Sequence, residues 1–394
     1  MSTTDALPWR AHAAFYVCTF VWNVGLGMSH PLIPLYADSL GMSGVAIGTL
    51  IAAPVVVQIA FNLLGGAFTD RLGGRLLVLF SCLSMCAGAL MFSQSTSFAA
   101  LMAAQVVLIM GRAVFWPATW TIAGQLPGAR SVELGRLNAM TNLGQIAGTL
   151  IAGVTIAIAG FANAFLLLAG AALIAWLAMT RHPRETRPAM AAHFAPFERY
   201  GRLMRLRPMF FVMACAYIAA LPFSLSVSFY PLLFEAYGYR HEVNGMVLSL
   251  RGIGAALMGI FVARHLDFSM KGGLAIGSAV TVALSVSVVG LTGNIFAVSA
   301  LLLLVGLGSG LMSLNFQVMV TEVTSPEDRG SANALGGVGW GLSHLSTPML
   351  MGVLHDHAGI QVAFVILGLC ALAWAGVLAW LHGWAFGKPP GHGR

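Results

Sequence analysis

The sequence predicts an all-α integral membrane protein with twelve transmembrane helices arranged as two pseudo-symmetric six-helix bundles. Three observations support this fold class: an extreme composition, a regular series of apolar segments and an internal repeat. Of the 394 residues, 58% are hydrophobic and 8% are charged, and the mean hydropathy is +0.84. A water-soluble domain carries roughly 25% charged residues, so this chain cannot cover a water-facing surface.

Twelve apolar segments are each long enough to cross the bilayer core, which takes about 20 helical residues. The predicted spans are 13–37, 45–68, 76–95, 99–123, 137–159, 162–180, 208–234, 244–264, 272–292, 295–320, 332–354 and 360–384. The stretch between the sixth and seventh spans is rich in arginine and proline, which is typical of a linker. The predicted domains are an N-terminal bundle (1–180), a cytoplasmic linker (181–207) and a C-terminal bundle (208–394).

The loop charges predict an orientation. When the loops are assigned alternately to the two sides, one side receives every loop lysine and arginine except Arg240. Positive loops mark the cytoplasmic side. The sequence therefore predicts a multi-pass protein of a bacterial-style inner membrane with both termini in the cytoplasm, and its first apolar segment is too long for a signal peptide.

The two halves of the chain contain similar short segments at a nearly constant offset. A shift of 197 residues aligns "PLYADSLG" (34–41) with "PLLFEAYG" (231–238), which places Asp38 opposite Glu235. A shift of 199 aligns "GTLIAG" (148–153) with "TPMLMG" (347–352). Two such halves related by an axis along the membrane normal are a transporter architecture, with the substrate near the midplane.

The loop after the second span carries the sequence "GGAFTDRLGGR" (65–75), which resembles the signature of the major facilitator superfamily. Gly66, Asp70, Arg71, Gly73 and Arg75 match that signature position for position, in the expected cytoplasmic loop. The resemblance covers essentially the whole chain and implies the fold of that family. It also implies that these five residues gate the change between two transport states and do not bind substrate.

Two other segments match the family in part. "FWPATW" (115–120) resembles the end of the fourth-span motif, but Gln105 stands where the family usually has an arginine implicated in proton relay. "GQIAGTLIAG" (144–153) resembles the exporter motif of the fifth span, although Thr149 occupies the proline position and Ala152 a glycine position. The resemblance therefore favours export only slightly.

Ionisable side chains at bilayer depth are costly to bury and are candidate functional groups. Arg112 in the fourth span and Arg251 in the eighth are candidates for binding an anionic substrate, since guanidinium stays charged and pairs with planar anions. Alternatively, each arginine ties helices together through backbone carbonyls or through Asp38 and Glu235.

Histidine changes charge near physiological pH, so His30 and His344 are candidates for proton coupling, together with the carboxylates Asp38 and Glu235. The alternative for each histidine is a neutral ring that makes one interhelical hydrogen bond. Polar and aromatic residues on the predicted cavity faces complete the candidate substrate-binding set: Asn23, Gln145, Trp116 and Gln317.

The sequence predicts no catalytic residues, no metal site and no cofactor. The five cysteines all fall in apolar segments and indicate no disulfide framework. "HDH" at 355–357 falls in a predicted outer loop and does not supply a coordination sphere.

The function expected from these features is secondary active transport of a small organic molecule, with an anion favoured, by proton-coupled efflux. Proton-coupled uptake of a carboxylate-type nutrient is the alternative. A non-transporting membrane sensor and a membrane enzyme are the rivals from other classes. The expected partners are a small-molecule substrate, protons and the lipid bilayer, with no nucleic acid, and the chain is expected to be monomeric.

Overall fold

The computed structural model describes residues 7–61, 72–126, 130–183, 196–258, 271–325 and 328–387. Within these ranges the regular secondary structure is entirely helical. The helices are α1 (Leu7–Ser39), α2 (Gly44–Ala52), α3 (Gly74–Gln94), α4 (Phe98–Gln125), α5 (Arg130–Thr180), α6 (Pro196–Leu203), α7 (Arg207–Ser226), α8 (Tyr230–Ala236), α9 (His241–Leu257), α10 (Lys271–Val289), α11 (Ile295–Val323), α12 (Arg329–Ala358) and α13 (Ile360–Phe386). The predicted all-α class is confirmed.

Eight helical segments of the described chain are long and apolar enough to cross a membrane: Gly44–Phe61, Gly74–Gln94, Phe98–Gln125, Val132–Thr180, Arg207–Ser226, Gly272–Val289, Ile295–Val320 and Ile360–Phe386. One of them, within α5, contains both the fifth and the sixth predicted spans. These two spans meet at Gly160, whose φ of 78° kinks the 51-residue helix. A left-handed backbone conformation of this kind favours glycine. The count of twelve crossings stays a prediction.

The chain divides into two compact units, and their boundaries do not simply fall at the predicted linker. The first unit contains Met1–Phe194 together with Ser226–Gly252, and the second contains Ala195–Leu225 together with Ile253–Arg394. Helix α8 and most of α9 therefore pack with the N-terminal helices. The domain boundaries predicted from the sequence remain a proposal.

In the first unit, α1 and α5 pack along glycines that allow the two backbones to approach. A Cβ atom on Gly144 would lie 2.5 Å from the Phe20 carbonyl oxygen, and one on Gly148 would lie 2.8 Å from the Val24 carbonyl carbon. Small residues serve this purpose in membrane helices, where close packing replaces the hydrophobic effect as the main driving force. The glycines of the partial exporter motif therefore form the surface of α5 that packs against α1.

The same helix contacts α9 through a second set of small residues. Gly153 abuts the backbone of His241, and a Cβ atom on Gly245 would lie 2.7 Å from the Thr149 carbonyl oxygen. The Ser249 hydroxyl also lies 3.5 Å from the Ile146 carbonyl oxygen. Helix α5 is thus packed at backbone distance against both α1 and α9.

In the second unit, α13 packs against α10. A Cβ atom on Gly290 would lie 2.5 Å from the Gln361 carbonyl oxygen, and one on Gly368 would lie 2.6 Å from the Ser287 backbone nitrogen. Close packing through small residues therefore recurs in this unit.

Candidate transport site and gating residues

Polar side chains join α1 to α5 in the first unit. The Gln145 amide donates a hydrogen bond to the Asn23 side-chain oxygen at 3.2 Å, and Asn23 donates to the Thr19 carbonyl at 2.8 Å. The Thr149 hydroxyl lies 2.9 Å from the Gln145 carbonyl and 3.3 Å from the Gly27 carbonyl. Two of the residues predicted to bind substrate, Asn23 and Gln145, are therefore in direct contact.

Arg112 lies in α4 with only 8% of its surface exposed. One helical turn further on, Phe115 stacks on Trp22 of α1, with ring centroids 3.6 Å apart and planes 5° apart. Trp116 meets Trp22 edge-on at 6.0 Å. These rings hold α1 and α4 together one helical turn from Arg112. Trp22 was not singled out from the sequence, because nothing in a single apolar span distinguishes a stacked tryptophan from one that faces lipid.

Arg251 lies in α9 and is half-buried. It interacts electrostatically with the buried Tyr230 of α8. Both arginines predicted to bind substrate belong to the first compact unit, Arg251 through the segment Ser226–Gly252.

The two candidate histidines are both buried, His30 in α1 and His344 in α12. The His344 Nδ1 atom lies 3.1 Å from the Trp340 carbonyl oxygen. Its ring lies between two aromatic rings of the second unit, with centroid distances of 5.7 Å to Trp340 and 5.2 Å to Phe223. Gln317 of α11 is exposed.

Asp38 and Glu235, which the internal repeat aligns, interact with each other. Asp38 is at the end of α1, and Glu235 lies just beyond the predicted seventh span. The Glu235 side chain reaches solvent, yet desolvation by the surrounding protein raises the pKa of its carboxyl above the ordinary value. His241 opposes this rise in pKa and Asp38 adds to it. The carboxyl is therefore easier to protonate than an isolated glutamate.

Three residues of the gating motif, Gly66, Asp70 and Arg71, lie outside the described residues. The other two lie at the start of α3. Gly73 has a φ of 79°, and Arg75 donates hydrogen bonds to the Thr180 carbonyl at 2.8 Å and the Met179 carbonyl at 3.4 Å. A cation at the C-terminal end of α5 satisfies carbonyls that have no partner within the helix and complements the helix dipole.

Glu133 is a buried carboxylate that sequence reasoning missed. It lies in the first turn of α5 with 3% of its surface exposed, and it pairs with Arg136 at 2.9 Å. The Tyr16 hydroxyl of α1 donates to the Glu133 carboxylate and lies 3.2 Å from the Glu133 carbonyl. The spacing of three residues between Glu133 and Arg136 could have predicted a helical ion pair. The contact with Tyr16, which is 117 positions away, could not be predicted from local spacing.

The described part of the chain contains no group of three or more metal-ligating side chains that could hold an ion. The five cysteines are free, and the His357 ring in the "HDH" segment bonds to the Val353 carbonyl at 2.9 Å.

Apolar helices that enclose buried arginine, histidine and amide side chains are characteristic of membrane transport proteins, because polar groups at such depth mark substrate and ion pathways. The chain belongs to the Major Facilitator Superfamily: the family model matches residues 15–268 and 212–393. The family that the loop motif predicted is confirmed.

Among curated proteins, the chain is 29% identical over 140 residues to the quinolone resistance protein NorA of Staphylococcus aureus (strain MRSA252). That match spans 35% of this chain and 36% of NorA. It is 21% identical over 255 residues to multidrug resistance protein 2 of Bacillus subtilis (strain 168), covering 62% of this chain and 63% of that protein.

Solved structures share the fold across nearly the whole chain. The nucleoside transporter NupG superposes with a TM-score of 0.79 at 15% identity and covers 94% of this chain and 98% of NupG. A bacterial homologue of the human lysosomal transporter Spinster superposes with a TM-score of 0.75 at 14% identity, covering 97% of this chain and 98% of that protein.

Proposed function

We propose that this protein is a secondary active transporter that exports a small organic molecule by alternating access, driven by the proton gradient. The observation that carries the direction is the similarity to two proteins named for drug resistance. The small-residue face of α5 supports it, since "GQIAGTLIAG" resembles the exporter motif and packs α5 on α1 at backbone distance.

An anionic cargo is the best match for the charges in the first unit. Arg112 is a buried cation in an apolar span, and charged side chains at such depth mark substrate pathways. A carboxylate, phosphate or phenolate on the cargo would be held by the planar fork of its guanidinium. Trp116 lies one helical turn from Arg112 and is only partly buried, so it is the ring proposed to contact a cargo that carries a ring.

Proton coupling is proposed for four groups: His30, His344, Asp38 and Glu235. Glu235 has the most direct support because its raised pKa brings protonation closer to physiological pH. Gating is proposed for Gly66, Asp70, Arg71, Gly73 and Arg75. Within that motif, Arg75 donates hydrogen bonds to carbonyls at the end of α5, which supports a role in holding α3 to α5.

The proposed setting is a bacterial-style inner membrane, with both termini in the cytoplasm and a monomeric chain. Labelling of single cysteines introduced at positions 75 and 240 in intact cells tests the orientation. Position 240 should react with an impermeant maleimide and position 75 should not. The reverse pattern would overturn the proposed topology.

Uptake of a carboxylate-type nutrient is the second candidate, and Thr149 in the proline position of the exporter motif favours it. A flux assay separates the candidates. The purified chain is reconstituted in proteoliposomes, and radiolabelled compounds that raise its melting temperature are offered under an imposed pH gradient.

Accumulation in acid-interior vesicles is expected, since protons leaving the vesicle would drive cargo inward by antiport. Accumulation only in alkaline-interior vesicles would indicate proton symport and uptake. Flux that ignores the gradient would contradict proton coupling, and binding without counterflow would indicate a sensor.

A further inference from the structure

An exposed arginine–aromatic surface lies in the second unit where α7 begins and α13 ends. Its core is Arg207, the first residue of α7, whose guanidinium carbon lies 5.2 Å from the centroid of the Trp384 ring. Trp384 in turn stacks on Trp380 at 6.2 Å with planes 8° apart, and Phe210 meets it edge-on at 6.0 Å. We call Arg205, Arg207, Phe210, Trp380 and Trp384 the Arg207–Trp384 surface.

The aromatic part of this surface is open. Trp380 is 66% exposed, Trp384 39% and Phe210 38%. Tryptophan in such a position is typical of the membrane–water boundary, where the ring is amphipathic enough to sit among headgroups. Its location near the last residue of α13, Phe386, agrees with a place at the end of a span.

The charged part of this surface is also open, in contrast to its neighbour. Arg202 of α6 is neutralised by Asp328, with 2.8 Å between the side chains. Arg205 and Arg207 are exposed, and no ion pair joins either of them to an acid within the described ranges. Two cations are thus presented beside an exposed aromatic stack.

We propose that the Arg207–Trp384 surface binds the headgroup phosphate of an anionic phospholipid, whose acyl chains lie along Trp380 and Phe210. The guanidinium is suited to phosphate because it donates several hydrogen bonds from a plane. Stacking over Trp384 holds that plane in place. Arg205 supplies a second positive charge, and such charges attract anionic leaflets.

The combination selects a lipid over a soluble anion. A free phosphate would use the two arginines but would leave the tryptophan pair in contact with water. A phospholipid covers both parts at once, since its charged headgroup adjoins its acyl chains as Arg207 adjoins the tryptophan pair here. Lipid binding at this surface is independent of the direction of transport and of the cargo.

The test uses the full-length protein in detergent and measures its melting temperature during titration with phosphatidylglycerol or phosphatidylcholine. We expect phosphatidylglycerol to raise the melting temperature more than phosphatidylcholine does. The double variant Arg205→Gln/Arg207→Gln should bind phosphatidylglycerol about 25-fold more weakly, at about fivefold per arginine removed. Inorganic phosphate at matched concentration should give little protection.

Arg181→Gln is the matched control, because Arg181 is an exposed arginine at the end of α5, in the other unit. It should keep the full response to phosphatidylglycerol. Equal protection by the two lipids, an equal loss in Arg181→Gln, or full protection by inorganic phosphate would each overturn the proposal.

A second measurement covers the case in which the double variant folds poorly. Brominated phosphatidylglycerol should quench the tryptophan fluorescence of the native protein more than brominated phosphatidylcholine does. Trp384→Phe, which keeps an aromatic ring under Arg207, should remove part of that difference. If Trp384→Phe leaves the lipid-dependent difference unchanged, anionic lipid does not gather at this surface.

Discussion

At the scale of single residues, glycine defines the closest contacts of the first unit. Gly148 faces the backbone of Val24 and Met28, and a Cβ atom at this position would lie 2.9 Å from the Met28 nitrogen. Backbone atoms cannot rotate away as a flexible side chain would. Any larger residue must therefore displace a helix.

We predict that Gly148→Ala lowers the free energy of unfolding by about 1–3 kcal/mol, because it overpacks the contact between α1 and α5. Gly170→Ala is the matched control on the same helix, since a Cβ atom there meets nothing within 4 Å. Thermal unfolding in detergent measures both. Equal melting temperatures for the two variants would contradict the close packing of Gly148.

Arg112 allows a prediction about cargo. Arg112→Gln should weaken binding of an anionic cargo by about 10- to 100-fold, the range expected when a hydrogen bond to a charged group is lost. Binding of an uncharged analogue should change far less. Isothermal titration with the matched pair of ligands measures the difference, and equal losses for both would refute charge pairing by Arg112.

At the scale of helices, polar side chains tie the ends of α5 to its neighbours. Tyr16 and Glu133 connect α1 to the first turn of α5, and Arg75 connects the start of α3 to its last turn. Each tie satisfies groups that an apolar environment would otherwise leave unpaired at high cost.

We predict a coupling of about 1.5–3 kcal/mol between Tyr16 and Glu133, the range for a hydrogen bond to a charged group. A double-mutant cycle with Tyr16→Phe, Glu133→Gln and their combination measures it through unfolding free energies. Arg136→Gln serves as a comparison because Arg136 is exposed on the other side of the same carboxylate. Strictly additive effects of the first two changes would show that the tie contributes nothing.

The hydrogen bonds that Arg75 donates to the end of α5 can be tested by measuring the unfolding free energies of single variants. Arg75→Gln should lower the free energy of unfolding by about 0.5–1.5 kcal/mol, since two carbonyls at the end of α5 lose their donor. Arg181→Gln removes an equal charge from the end of the same helix, but within the described residues the Arg181 side chain donates no hydrogen bond to a carbonyl of α5, so this change should be nearly neutral. A loss of the same size in Arg181→Gln would assign the effect to charge alone.

At the scale of the whole molecule, composition and one loop motif were enough to identify the class of protein. A chain with 8% charged residues cannot cover a water-facing surface, which indicates a membrane protein. The residue pattern from Gly66 to Arg75 indicates the family that the family model matches. Both inferences rest on local patterns. The sequence named Asn23 and Gln145 separately as candidate binding residues, and their hydrogen bond to each other is seen only in the structure.

What the sequence did not reveal depends on contacts between distant segments. The stack of Trp22 on Phe115 joins positions in the first and fourth spans, and Glu133 finds its tyrosine in α1. The grouping of Ser226–Gly252 with the first unit is also a long-range property. No periodicity within one helix records which residue of another helix will lie opposite.

The motif yields a prediction about transport as a whole. Asp70→Asn should abolish most flux in proteoliposomes while leaving cargo affinity nearly unchanged, because the family resemblance assigns Asp70 to the change of state. Flux and binding are measured on the same preparation. Normal flux in this variant would remove the gating role, and a parallel loss of affinity would place Asp70 in binding instead.

Because α5 packs at backbone distance against both α1 and α9, the sequence of this protein can change during evolution at some positions and not at others. Backbone carbonyls have the same size in every sequence, so a compensating change on the partner helix is unavailable at Gly148, Gly153 and Gly245. New cargo preferences are therefore expected at the candidate substrate-binding side chains, such as Asn23, Arg112 and Gln145, while these three glycines stay invariant. Laboratory selection for an altered cargo spectrum should recover variants at those side chains and none at the three glycines.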